Sequence, residues 1–151
     1  MTTISLTTKI NAPIQTVFDL SRNIDVHQLS AEKTAEKAVA GVTSGLIGFN
    51  ETVTWKGRHF GLILTHKSRI SAFDMPNYFV DEMEKGHFKS FRHEHFFKSE
   101  NGIVIMKDKL QYETPFGFFG KLFDLFLLKK HLTQFLLKRN ECLKALSESQ
   151  Q

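Results

Sequence analysis

From residue 50 to 113 apolar and polar side chains alternate almost without a break, and after Pro115 the alternation gives way to a helical period. No other feature of the chain restricts its fold so much. A period of two puts one set of side chains on each face of a strand. Glu51, Val53 and Trp55 share a face against Thr52, Thr54 and Lys56. Leu62, Leu64, His66, Ser68 and Ile70 do the same against Ile63, Thr65, Lys67 and Arg69. Pro76-Asn77 reads as a turn, 78–84 as a strand, and Lys85-Gly86 as its hairpin. Residues 88–98 and 103–113 read as two more strands around the loop Ser99-Glu100-Asn101-Gly102. Upstream, Ile4, Leu6, Thr8 and Ile10 line one side of a first strand. Asn11-Ala12-Pro13 then opens a helix in which Ile14, Val17 and Phe18 form one face. Asp25 to Leu29 reads as a second short helical piece and 35–40 as a short strand. The order predicts an α+β fold: a curved antiparallel sheet of about seven strands wrapped round a long C-terminal helix, with two short helices after strand 1.

Composition enters through phenylalanine. The 151 residues include 15 Phe against 2 Tyr and 1 Trp. Phe has no polar handle, so its surface must be covered by the protein's own core or by an apolar ligand. The length suits one domain over 1–151, and 41% hydrophobic with 24% charged residues excludes intrinsic disorder. The net charge of +4 comes from scattered residues, with local excesses only at Lys129-Lys130 and Lys138-Arg139. Nucleic-acid binders concentrate basic residues in a stripe, so no nucleic-acid partner is expected. The single Cys142 precludes an internal disulfide or a zinc-type cluster and reads as packing beside Leu143 and Leu146. The opening MTTISLTTKI lacks the basic segment and apolar run of a signal peptide, which makes a cytoplasmic protein the expectation. No apolar stretch approaches the roughly 18 residues of a membrane span. Neither a phosphate-cradling glycine loop nor a Gly-x-Ser-x-Gly elbow is present.

Charge decides which strand faces point inward. In 91–98 one face carries Arg92, Glu94 and Lys98 with Phe96, and the other Phe91, His93, His95 and Phe97. Burying charges costs more than burying neutral imidazoles, so the second face is the inner one. In 103–112 the inner face is Val104, Met106, Asp108, Leu110 and Tyr112. A four-residue loop at 99–102 sets Phe97 opposite Val104, His95 opposite Met106 and His93 opposite Asp108. A His–carboxylate pair is thus predicted inside the concave face. Four roles are open to it: a structural hydrogen-bond pair, polar anchors for a ligand, acid–base catalysis, and, least supported, a metal site. Glu51 and Asp81 either join this set or stay solvated near strand ends, and Trp55 is core or cavity wall.

The last helix is apolar almost all round between Phe116 and Leu128. Leu122, Leu125, Phe126, Leu132 and Leu136 are expected on the sheet. Phe119, Phe123, Leu127 and Leu128 remain for the first helices, a ligand, a second copy of the chain in a homodimer, or a membrane surface. Core and cavity wall are the leading choice, and Lys129-Lys130 fits an interfacial helix only weakly.

The chain resembles the START-like superfamily with its helix-grip fold, which includes polyketide cyclases and dehydrases, coenzyme-Q-binding proteins and the birch-pollen-allergen type. The resemblance spans nearly the whole chain. It rests on Ile10-Asn11-Ala12-Pro13 with Val17-Phe18, Val53-Thr54-Trp55, Arg58-His59-Phe60-Gly61 and Phe79-Val80-Asp81. It continues through Gly86 and Phe88, Phe91-x-His93-x-His95-x-Phe97, Asp108 with Tyr112, and Pro115-x-Gly117 with Gly120. The nearest likeness is to small bacterial single-domain members. The resemblance implies a deep apolar cavity between sheet and helix, and ligands such as lipids, polyketides, quinones or hormones. Catalytic residues differ between its branches, so none is transferred. The expected function is binding of a small hydrophobic molecule among Trp55, Met83, Phe91, Met106, Leu110 and Phe126. His93, His95 and Asp108 would orient its polar end, with no cofactor and no metal. The alternatives are a cyclase or aromatase using His93 or His95 as acid–base, and an interaction module built on the C-terminal helix.

Overall fold

The computed structural model describes residues 1–150. Strand β1 (Thr2–Ile10) is followed by helices α1 (Ile14–Ser21) and α2 (Ile24–Ser30). Six strands follow: β2 (Lys37–Gly41), β3 (Thr52–His59), β4 (Leu62–Asp74), β5 (Tyr78–Lys85), β6 (Ser90–Glu100) and β7 (Ile103–Glu113). Helix α3 (Gly117–Phe123), a π-helical turn (Asp124–Leu128) and α4 (Lys129–Ser149) close the chain. The sheet runs β1-β7-β6-β5-β4-β3-β2 with every pair antiparallel. This is the helix-grip arrangement expected from the sequence, with the long helix lying against the concave face.

The parity deduced from charge holds. Along β7, Val104, Met106, Asp108, Leu110 and Tyr112 are buried, and along β6 His93, His95 and Phe97 are. Phe96 faces out. The register differs from the expected one by two residues: His95 lies opposite Asp108, His93 opposite Leu110, and Phe97 opposite Met106. The cause is the turn. Asn101 and Gly102 have φ of 52° and 80°, the two positive values of a two-residue hairpin turn, so pairing continues to Glu100 opposite Ile103. A shift of two leaves every side chain on its predicted face.

The inward residues form two apolar clusters. One joins Val17 and Phe18 of α1 to Phe79, Phe97, Val104, Met106 and Leu143. Phe18 is fully buried and meets Phe73, Phe79 and Phe97 edge-on at centroid distances of 5.4, 5.5 and 5.3 Å. The other joins Ile4, Leu110 and Tyr112 to Leu128 and Leu136. Between them, β7 presents Asp108 and α4 presents Arg139 and Asn140, all buried.

The C-terminal helix departs most from the expected packing. Leu132 and Leu136 pack inward, as does Leu128, but Leu125 and Phe126 are 72% and 70% exposed. Each residue advances an α-helix by about 100°, so the wider π-helical turn breaks the phase that links α3 to α4. A stripe extrapolated straight through it therefore lands on the wrong side. The same turn buries Asp124, whose carboxylate accepts hydrogen bonds from the Tyr112 hydroxyl and from Thr2 Oγ1, tying the helix to β7 and β1. Gly120 has no freedom to change, because a Cβ there would sit 1.8 Å from the Pro115 carbonyl oxygen. Among the described residues no helix is long and apolar enough to cross a membrane.

Phe18→Ala is expected to lower the unfolding free energy by about 3–5 kcal/mol, because three aromatic neighbours cannot collapse into the space it leaves. Urea denaturation followed by tryptophan fluorescence measures this.

Candidate functional site

A cavity of about 730 Å³ opens between the concave face of the sheet and the α3–α4 segment. Of the nine residues expected at the site, Trp55, Phe91, His93, His95 and Leu110 line it. Asp108 lies directly behind the two histidines. Met106 is sealed in the first apolar cluster, and Met83 and Phe126 do not reach the cavity. Phe126 is displaced by the phase change at the π-helical turn. Asp81 lines the wall and its Oδ1 is buried without a hydrogen-bond partner. Glu51 stays outside, accepting from the Gly48 amide at 2.6 Å.

The Asp108 carboxylate is the centre of a buried network. Its Oδ1 accepts from His93 Nε2 at 2.8 Å and its Oδ2 from Asn140 Nδ2 at 2.7 Å. His95 Nδ1 is 3.2 Å from Oδ1 but outside hydrogen-bond geometry. Arg139 Nη1 is 3.6 Å from the same oxygen and donates to Asn140 Oδ1 at 3.0 Å, while Nη2 donates to the Ser21 carbonyl at 3.2 Å. Burial alone would raise the Asp108 carboxyl, yet the His93 and His95 contacts and the Arg139 charge hold it well below the usual range. Burial, and then the neighbouring His93, push His95 well below an ordinary histidine, so its ring is neutral. Ligand atoms of His93, His95 and Asp108 lie within 4.8 Å of one another, as a metal site requires. Arg139 already places a cation there, however, and both carboxylate oxygens are engaged. The set is built for hydrogen bonding.

Sequence reasoning singled out two histidines, but all seven line the cavity. His27 lies against Trp55, the rings tilted by 35° with centroids 4.1 Å apart, and contacts Glu36 Oε2 through Nε2 at 2.7 Å. His59 Nε2 meets Glu36 Oε1 at 3.2 Å, and its Nδ1 meets His131 Nε2 at 3.0 Å. His66 packs edge-on against Phe91, and burial lowers its pKa. His59 and His66 share the inward parity of Trp55 and Leu64, a signal that strand alternation already carried. His27, Glu36 and His131 come from α2, from the residue before β2, and from α4, and no local pattern joins them. Arg139 and Asn140 escaped notice for the same reason, since Lys138-Arg139 reads as surface charge.

The mouth is apolar. Phe60 and Leu62 from the β3–β4 hairpin face Phe116, Phe119 and Phe123 across it, and the Phe60 and Phe123 rings meet edge-on at 5.1 Å. Phe116 and Phe119 are 83% and 77% exposed.

Asp108→Asn is expected to destabilise the protein by about 3–5 kcal/mol, because Arg139 is then buried without its counter-charge. The pH dependence follows from the depressed groups, His95 and Asp108 foremost among them. The folded state binds fewer protons than the unfolded one, so stability is present above the unfolded values and lost on acidification. The loss begins as pH falls through 6.5, with His95 contributing, and steepens below 3.8, where Asp108 contributes. Unfolding free energies measured across this range should fall monotonically, with a shallower upper slope in His95→Gln.

No protein-family model matches the chain, and no curated protein matches it. Solved structures do match. A START superfamily protein from Mycobacterium smegmatis superposes with a TM-score of 0.73 at 12% identity, covering 99% of both chains. The protein TTHA0849 from Thermus thermophilus gives 0.72 at 18% identity, over 97% of this chain and 99% of that one. Major latex-like protein 151 of Panax ginseng gives 0.69 at 16% identity, over 97% of each. At such identities the likeness is one of fold, and it runs from end to end: the chain has the START-like helix-grip fold.

Proposed function

We propose that the chain is one ligand-binding domain that takes up a small hydrophobic molecule, to sequester or carry it. The observation that carries this reading is the cavity: about 730 Å³, with a wall whose surface is mostly apolar, polar side chains that converge on it, and an apolar mouth. Sites for small molecules have this size and make-up. Burial of apolar surface supplies most of the affinity, at ~25 cal/mol per Å² before association costs. An acid–base role for His93 and His95 has less support, because the carboxylate behind them is already satisfied by His93, Asn140 and Arg139. Native mass spectrometry of freshly purified protein should show a bound mass that organic extraction removes. Leu64→Trp, which fills the cavity from β4, should reduce uptake of an apolar fluorescent probe several-fold with the fold intact. A protein that carries no ligand and takes up no probe would overturn the reading.

The mouth favours membrane contact as a second feature. Leu125 and Phe126 are exposed beside Phe119, and Lys121, Lys129 and Lys130 flank them on the surface. Exposed aromatic and aliphatic side chains with lysines at their edge suit an anionic lipid surface. Wild-type protein should float with anionic vesicles, and Phe126→Glu should reduce flotation at unchanged probe uptake. A concentration-dependent dimer that Phe126→Glu dissociates would instead assign the patch to a second copy of the chain.

A further inference from the structure

A second polar chain, separate from the Asp108 network, crosses the cavity wall nearer the mouth. It runs from Glu36 through His59 to His131, with His27 as a side branch. Its hydrogen-bond directions follow from the carboxylate. Burial opposes ionisation of Glu36, but the bonds from His27 and His59 lower its pKa to about 2. An ionised carboxylate only accepts, so His27 and His59 each donate from Nε2. A neutral His59 that donates from Nε2 accepts at Nδ1. His131 must then donate from Nε2, which leaves its Nδ1 as a lone pair with no partner among the described residues. Burial and the neighbouring His59 lower the His131 pKa, consistent with a neutral ring.

We infer that His131 accepts a hydrogen bond at Nδ1 from a weakly acidic hydroxyl, phenolic or enolic, on the hydrophobic ligand. The inference rests on the cavity being the ligand site and names the polar group that the ligand carries. Glu36 and His59 are positioning residues: they fix the tautomer and make His131 a stronger acceptor through the polarised chain. The surroundings suit an aromatic hydroxyl. The Phe60 ring lies 4.6 Å from His131, and His59 and His27 lie 6.1 and 6.0 Å from the ring of Phe135. A ligand entering past Phe60 and Phe123 with its ring leading meets His131 with the hydroxyl trailing.

The test compares 2-naphthol with 2-methoxynaphthalene, in which a methyl group replaces the hydroxyl proton. Wild-type protein should prefer 2-naphthol by about tenfold, the worth of one hydrogen bond to a strong acceptor. Bound 2-naphthol should also emit as naphtholate, because its excited state gives up the proton to a base in contact. His131→Phe should abolish both the preference and the naphtholate emission. Glu36→Gln, which removes the charge behind the chain, should weaken both. If both compounds bind equally to wild type, or the preference survives in folded His131→Phe, the inference is wrong while the cavity reading stands. If neither compound binds wild type, both fall. Circular dichroism of each variant establishes that it is folded, and His131→Gln, which keeps an acceptor, should retain part of the preference.

Discussion

The structure depends on one buried carboxylate. Asp108 stands in the middle of β7, and an ion in that position is tolerated only if other elements bring it partners. β6 brings His93 and α4 brings Asn140 and Arg139; Arg139 in turn reaches the Ser21 carbonyl of α1. Four elements are thereby held at one point. Apolar contacts alone would allow the long helix to slide along the sheet, whereas a network of directed bonds fixes one position. That position is the boundary between the two apolar clusters.

The division matters because the two sides differ. On the side of Phe18, Phe97 and Leu143 the interior is packed. Toward β3 and β4 the sheet and the helix separate, and the space between them is the cavity, walled by Val53, Trp55, Ile70 and Phe79 of the first cluster and by Leu110, Leu128 and Leu136 of the second. A void lined only by phenylalanine and leucine would tend to close. Here the wall also carries seven imidazoles and the carboxyls of Glu36 and Asp81. His59 of β3 is held by Glu36 and by His131 of α4, which ties the sheet to the helix. The wall is stiffened where Glu36, His27, His59 and His131 join, while Asp81 Oδ1 and His95 Nδ1 are buried without a hydrogen-bond partner.

Much of this was legible in the sequence because strand periodicity is short and charge is decisive. The alternation of Arg92, Glu94 and Lys98 against His93, His95 and Phe97 was enough to place the inner face, and Asp108 with it. The observed register lies two residues from the expected one because Asn101-Gly102 closes the hairpin alone. The helix was harder. Its sequence is apolar on every side from Phe116 to Leu128, so no stripe marks the inner face, and the π-helical turn cannot be read from hydrophobicity. Contacts between distant segments were beyond reach altogether. Asp124 lies in an apolar run and gives no hint of Tyr112 and Thr2, and Arg139 beside Lys138 looks like a solvated pair. The site was visible where strand parity controlled it and hidden where it is assembled from separate helices.

If the Asp108 network divides a packed core from a space for a ligand, an apolar probe must enter on one side of it only. Intermolecular nuclear Overhauser effects with 2-methoxynaphthalene at saturating concentration test this most directly. Cross-peaks are expected from the naphthalene ring to Trp55, Leu110 and Phe91, and none to Phe18 or Met106. Cross-peaks confined to exposed Leu125 and Phe126, or reaching Phe18, would contradict it.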